Sequence, residues 1–178
     1  MKLEKACAKD YRRIKKLYKE AFPREERAPF FIIKLRVRQG RAELWNLLDG
    51  DKWAGFCCTI KAEGLVYIFY FAIDAALRGK GYGTKALKAV LEHYKGNRVF
   101  LALENWREPA DNFEQRIKRH NFYLHCGLED LPYKIKEASV IYSIMGVGGK
   151  VEPEEYKELI NKYLGAILKR FVDMRIIK

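Results

Sequence analysis

Several kinds of protein are excluded by what this chain has little of. It carries three histidines and four cysteines in 178 residues. Cys7, Cys57, Cys58 and Cys126 show no C-x-x-C spacing, so neither a thiol metal site nor a disulfide scaffold is expected, and reduced thiols in the cytoplasm are the plain reading. His93, His120 and His125 stand apart on predicted helices, without the partners of a nucleophilic triad. No apolar run is long enough to span a bilayer, and Met1 to Asp10 alternates charged and apolar residues instead of forming a secretory signal. A soluble protein with no membrane partner is expected. There is no linker-like stretch, repeat or low-complexity segment, so one domain with a substantial core is expected. Acidic residues are also in deficit: 23 Asp and Glu against 35 Lys and Arg leave a formal charge of +12, which favours anionic ligands without naming one. The cations Arg12, Arg13, Lys15, Lys16 and Lys19, and then Lys34, Arg36, Arg38 and Arg41, fall on two predicted helices. Solvated helix faces explain such runs, and nucleic acid is not expected as a partner.

What the chain does have is a run of glycines in an informative place. Arg78, Gly79, Lys80, Gly81, Tyr82, Gly83 and Thr84 lie between the apolar segment Leu65 to Ile73 and the periodic segment Ala86 to Tyr94. A glycine-rich turn from strand to helix leaves backbone N–H groups unpaired and aimed at one spot, where the helix dipole also favours negative charge. The spacing is not that of a P-loop, and Thr84-Lys85 reverses the final order that motif needs. It is not G-x-G-x-x-G either, although Glu104, ending the next predicted strand, could mimic the acidic ribose ligand of a dinucleotide fold. The pattern present is R-x-x-G-x-G, with Ile73 five residues before the arginine. Later in the chain stand Asn121, Phe122, Tyr123, Leu124, His125, Cys126, Gly127 and Leu128. In these two segments the chain resembles the GCN5-related N-acetyltransferases (GNAT), whose acetyl-CoA loop carries [RQ]-x-x-G-x-[GA] and whose late signature is F-Y-x-x-x-G-F, here with Leu128 for the last phenylalanine.

The element pattern is consistent with that resemblance, which spans about residues 1 to 146 and leaves 147 to 178 outside it. Leu3 to Cys7 reads as a strand, and Asp10 as the cap of a helix with Ile14, Leu17, Tyr18 and Ala21 at helical spacing, ended by Pro23. Pro29 opens a second helix to about Arg38. Glu43 to Leu48 and Lys52 to Ile60 flank the hairpin signal Asp49-Gly50-Asp51. Leu65 to Ile73 reads as a central strand, Arg98 to Leu103 as a strand returning in parallel to it, Asn112 to Cys126 as a helix, and Tyr133 to Ile135 and Val140 to Met145 as closing strands. The fold class expected is α/β (α+β by some conventions): a mixed, mostly antiparallel, twisted central sheet with helices on both faces. From Pro153, the residues Tyr156, Leu159, Ile160, Tyr163, Leu164, Ile167, Leu168 and Phe171 mark an amphipathic C-terminal helix, packed on the same domain or at a dimer contact.

What the resemblance implies is an acetyl-CoA dependent N-acetyltransferase. It acts by direct attack of a primary amine on the thioester, in a cytoplasmic monomer or homodimer, with a small-molecule or protein amine as acceptor and no metal. Backbone N–H groups from Arg78 through Thr84 (Arg78, Gly79, Lys80, Gly81, Tyr82, Gly83, Thr84) would bind the pyrophosphate, and the main chain of Phe71, Ala72 and Ile73 would pair with the pantetheine arm. Tyr123 would protonate the departing thiolate. The chain departs from the family pattern at Tyr67, where histone-type members carry a glutamate, and at Ala75, where a proline is common. Glu104 is therefore the candidate base, with Glu25 and Glu26 as alternatives in a loop that overhangs the acceptor in the family. Asn112 and Arg116 are candidate aids at the cofactor, Trp106 a candidate acceptor contact, and Phe30, Phe31, Trp45 and Trp53 either an apolar pocket wall or core. Cys126 is a possible thiol nucleophile with no readable histidine partner. The competing reading is a non-catalytic coenzyme A or nucleic-acid binding module on the same fold.

Overall fold

The computed structural model describes residues 1–137, 140–168 and 174–177. Eight strands and five helices are found among the described residues, the mixed class expected from the sequence. The chain divides into two compact units, residues 1–61 with 68–95, and residues 62–67 with 96–178.

The first unit holds β1 (Lys2–Lys5), α1 (Tyr11–Ala21), α2 (Phe30–Arg38), β2 (Glu43–Asp49), β3 (Lys52–Ala62), the greater part of β4 (Leu65–Ile73) and α3 (Tyr82–His93). Its strands lie in the order β1-β2-β3-β4, with β1 and β2, and β2 and β3, antiparallel. Gly50, at φ 60, turns the β2–β3 hairpin, and a register shift follows at Leu47/Leu48. α1 stops where Phe22 takes the extended backbone that a following proline requires (φ −124, ψ 138). The face predicted for α1 is the buried one: Ile14, Leu17 and Tyr18 join Phe30 and Ile33 of α2 and the inward residues of β2 and β3.

Asp10 differs from its expected role as a helix cap. Its carboxylate makes no capping bond to α1; it accepts from the Cys7 N–H (2.9 Å), from Asn46 Nδ2 (3.0 Å) and from Arg13 Nη2 (2.7 Å), fastening the start of the chain to β2. Burial pushes this carboxyl up, but the bonds from Cys7 and Asn46, with Arg13 beside it, outweigh burial and hold it below its ordinary range. A second buried tie centres on Tyr94, just past α3. Its hydroxyl accepts from Trp45 Nε1 (2.9 Å), donates to Glu43 Oε2 (2.7 Å) and lies 2.7 Å from Thr59 Oγ1.

The second unit holds β5 (Arg98–Glu104), α4 (Phe113–His125), β6 (Glu129–Glu137), β7 (Val140–Val147), α5 (Pro153–Leu168) and β8 (Met174–Ile177). Its strands run β5-β7-β6-β8, every neighbouring pair antiparallel. Tyr67 stacks on Phe100 (centroids 4.8 Å, 13°), and Tyr156 of α5 meets both rings edge-on at 5.4 Å. With Tyr156, Leu159, Ile160 and Tyr163 buried, the apolar stripe of α5 lies within this unit's own core, and Arg98 clasps Glu155 at 2.7 and 2.8 Å. The helix expected to fill the tail is interrupted at Gly165 (φ 70, ψ 178), and Met174–Ile177 forms a strand on β6 instead. Phe171 and the side chains of Ile167 and Leu168, which the periodicity placed on the helix, lie outside the described residues.

Candidate functional site

In the first unit the glycine run forms a preorganised turn. β4 ends at Ile73; Asp74 Oδ1 accepts from the Ala76 N–H (2.9 Å) and sets one tight helical turn over Ala75–Leu77. Arg78 then extends (φ −65, ψ 154), and its Nε donates back to the Ile73 carbonyl at 3.1 Å, fastening the loop to the strand end. The motif arginine thus acts on the chain's own backbone. Gly79 (φ 73) and Gly81 (φ 77) both lie in the left-handed region that other residues enter at a cost. Gly81 is the N-cap of α3 and brings no capping side chain. Lys85 N–H bonds to the Gly81 carbonyl at 3.1 Å, so Tyr82, Gly83 and Thr84 supply the first-turn N–H groups that lack an acceptor one turn back. A Cβ at Gly79 or Gly81 meets no protein atom within 4 Å, and the first turn of α3 has no acidic residue. These N–H groups lie at the positive end of a twelve-residue helix dipole, with no intrahelical acceptor.

Two cations that the sequence did not point to join this turn. Lys52, from the β2–β3 hairpin, and Lys85 hold their ammonium groups 5.6 and 5.8 Å from the Tyr82 ring centroid. Behind the strand end, Gly55 of β3 allows a close backbone approach: a Cβ there would lie 2.0 Å from the Ala72 carbonyl oxygen. Ala72 and Ile73 are buried and Phe71 half-buried, and Asp74 N–H bonds to the Ala54 carbonyl at 2.9 Å.

The second unit carries the other candidates. Glu104, at the end of β5 and 7% exposed, receives Arg116 Nη2 at 2.6 Å and Asn112 Nδ2 at 3.2 Å, with Arg119 Nη1 at 3.6 Å. Asn112 and Arg116 are thus brought to Glu104. The following loop is fixed by buried Asn105, whose Oδ1 accepts from Ser143 Oγ (3.2 Å) and whose Nδ2 donates to Glu108 (3.0 Å). Trp106 stacks on His120 (4.3 Å, 23°) with the Arg107 guanidinium 4.7 Å from its ring, and His120 Nε2 lies 2.9 Å from Asp130. His120 therefore has a carboxylate partner that its sequence neighbourhood did not reveal.

Tyr123 is buried near the end of α4, its ring 5.1 Å from Phe122. The late signature proves to be a helix terminator: Gly127 (φ 92) donates to the Leu124 carbonyl at 2.9 Å and Leu128 to the Tyr123 carbonyl at 3.1 Å, the paired bonds of a Schellman cap. Leu128, standing for phenylalanine, is buried as the apolar residue that accompanies such a cap. Cys126 is buried beside exposed His125. Cys57 and Cys58 are also buried, and burial pushes the Cys58 thiol up to about 12.

Of the remaining candidates, Trp45 and Trp53 spend their indole N–H groups on Tyr94 and Asn46 (both 2.9 Å), and Phe30 packs 5.8 Å from Tyr18. Only Phe31 of that quartet stands free, at 65% exposure. Glu25 is exposed, and the Glu26 carbonyl accepts from the Tyr70 hydroxyl (3.0 Å). Among the described residues, no three His, Cys, Asp or Glu side chains converge as metal ligands would.

Comparison with known proteins bears on the family and the fold. The family model of the acetyltransferase (GNAT) family matches residues 11–127. Among solved structures, a GNAT-family protein from Bacteroides thetaiotaomicron is 25% identical, with a TM-score of 0.75 over 94% of this chain and 97% of its own. A Bacillus subtilis acetyltransferase in complex with CoA shares the fold at 18% identity (TM-score 0.59; 82% and 96% covered). An aminoglycoside 6'-N-acetyltransferase complexed with coenzyme A does so at 11% (TM-score 0.61; 85% and 100% covered). No curated protein matches. The chain belongs to the GNAT acetyltransferase family.

Proposed function

We propose that the protein is an acetyl-CoA dependent N-acetyltransferase in which a primary amine attacks the thioester directly. The observation that carries this reading is the uncapped, acid-free start of α3, where the left-handed Gly81 brings no side chain to the first-turn N–H groups of Tyr82, Gly83 and Thr84 and a Cβ on it would meet nothing within 4 Å. That chemistry suits a diphosphate and gives no other advantage to a helix that could have taken a Ser or Asp cap. Arg78, Gly79 and Lys80 complete the turn, Lys52 and Lys85 add charge, and the main chain at Phe71, Ala72 and Ile73 pairs with the pantetheine arm. Acetyl-CoA supplies an activated acetyl group.

Tyr123 gives its hydroxyl proton to the departing thiolate as the C–N bond forms and the C–S bond breaks. Glu104 takes the amine proton through a water molecule, because both carboxylate oxygens already accept from side chains and a direct amine contact would have to displace one of them. The burial of Cys126 favours this route over an acyl-enzyme. Residues 1–146 form the catalytic part and 147–178 a buttress of the second unit, in a cytoplasmic protein. Calorimetry with acetyl-CoA, then an amine screen read by free-thiol release, tests this: binding with turnover is expected. Binding without turnover on any amine would leave only a coenzyme A-sensing module, and no binding at all would end the proposal.

A further inference from the structure

The loop joining α1 to α2 borders an open groove of about 720 Å³ in the first unit. Six cations line it: Arg12, Lys15 and Lys19 from α1, Arg24 and Arg27 from the loop, and Lys34 from α2. No carboxylate lines it, and among the described residues none of the six is within ion-pair distance of one. Elsewhere on this surface cations do find partners, as Arg13 does on Asp10. Cations crowded around concave walls raise one another's energy and focus a positive potential that a bound anion relieves.

The floor of the groove connects it to β4. Tyr18 donates to the Ala28 carbonyl (2.9 Å), Ala28 N–H donates to the Tyr70 hydroxyl (3.0 Å), and the Tyr18 and Tyr70 rings meet edge-on at 4.8 Å. Tyr70 immediately precedes Phe71, Ala72 and Ile73. The wall offers apolar area as well: Phe31 is exposed, and Lys34 Nζ sits 5.9 Å from the Tyr11 ring.

From this we infer that the groove admits the acceptor and that the acceptor is a phosphorylated small-molecule amine, its phosphate held by the α1 and α2 cations and its ring or chain resting on Phe31 and Tyr11. The inference rests on the acetyl-transfer reading. The volume is that of a small-molecule site. Exposed Glu20 and Glu25, next in sequence to the lining residues Lys19 and Arg24, interrupt the longer basic track that a nucleic-acid strand would need.

The test begins by saturating the protein with coenzyme A, which occupies the diphosphate turn, and then titrating inorganic tripolyphosphate by calorimetry. One saturable site is expected, weakened about tenfold or more in Lys15→Glu/Lys34→Glu and unchanged in Lys118→Glu, an exposed α4 control. In the acetylation assay, glucosamine 6-phosphate and 2-aminoethyl phosphate should exceed glucosamine and ethanolamine in kcat/KM by about tenfold, with the double variant erasing the preference through KM. Retained coenzyme A binding certifies that the variants fold. Absence of coenzyme A heat in the wild type sinks the acetyl-transfer reading. Coenzyme A heat with no tripolyphosphate site, a preference for the unphosphorylated amines, or competition by single-stranded RNA alone overturns the assignment of the groove by itself.

Discussion

Replacing Gly55 with alanine asks whether β3 and β4 are as tightly opposed as the structure shows. The added Cβ would sit 2.0 Å from the Ala72 carbonyl oxygen and 3.0 Å from the Ile73 Cα, so strand backbone must move by roughly 1 Å to reach even the shortest tolerable contact. No flexible side chain can give way, since the obstructing atoms are main chain, and the adjacent Asp74 N–H to Ala54 C=O bond (2.9 Å) resists the movement. Overpacking of this kind costs about 3 kcal/mol. For a chain of this length that corresponds to a fall in Tm of roughly 6–12 °C. Gly64→Ala is the internal control: its φ of 66 brings strain, but a Cβ there meets nothing within 4 Å, so about 1 kcal/mol and roughly 2–4 °C are expected. Because Ala72 belongs to the segment proposed to pair with the pantetheine arm, Gly55→Ala should also weaken coenzyme A binding. The loss of one or two main-chain hydrogen bonds amounts to about tenfold. Thermal melts and calorimetry on the two variants decide it. If Gly55→Ala melts no lower than Gly64→Ala and binds coenzyme A normally, the close approach and the role given to Ala72 are both wrong.

Tyr123→Phe is expected to lower kcat about 10²-fold or more while coenzyme A affinity stays within twofold, measured by thiol release and calorimetry. Glu104→Gln should cost about 3 kcal/mol of stability, because it leaves the mostly buried Arg116 guanidinium facing a neutral amide, and should lower kcat about 10²-fold; a variant with unchanged kcat removes the base assignment. Gly81→Val should weaken coenzyme A at least tenfold and lower Tm by a few degrees, since a β-branched residue at φ 77 strains the turn. Asp10 has a folded-state pKa below its ordinary value near 3.8. Its contribution to stability is therefore complete above that ordinary value and lost as pH falls through the lower, folded-state one. Asp10→Asn should lower Tm at neutral pH and shrink the difference from wild type at the acid end of a pH series of melts, and a constant difference would contradict it.

The parts of this site that could be read in the sequence are those whose residues are consecutive. Arg78 through Thr84 form the turn from one strand end to one helix start, so spacing alone gave its shape. Tyr123, Gly127 and Leu128 are likewise one helix terminus, and the glycine is demanded by local backbone geometry. What stayed hidden joins residues far apart in the chain. Lys52 reaches Tyr82 across thirty positions, Gly55 meets Ala72, and the stack of Trp106 on His120, itself paired with Asp130, depends on how α4 packs. The basic residues of α1 and α2 read as two solvated faces because nothing in either helix says that they converge. Asp10 reads as a cap for a local reason, since a cap and a bond reaching back to Cys7 ask for the same residue type. β8 is not legible in the sequence because Ile167, Leu168 and Phe171 prolong a helical period past Gly165 with no proline to stop it.

The hydroxyl of Tyr94 acts at a distance from all this. By tying the trailing end of α3 to Trp45, Glu43 and Thr59, it denies that helix the freedom to swivel or fray, and burial pushes the phenol's pKa up from its ordinary value. The leading end, where the glycines stand, is thereby aimed during folding and not upon encounter, and the entropy of fixing it has been spent before a ligand arrives. Association at that end should accordingly be a single-step, concentration-limited event, with no slower rearrangement following it.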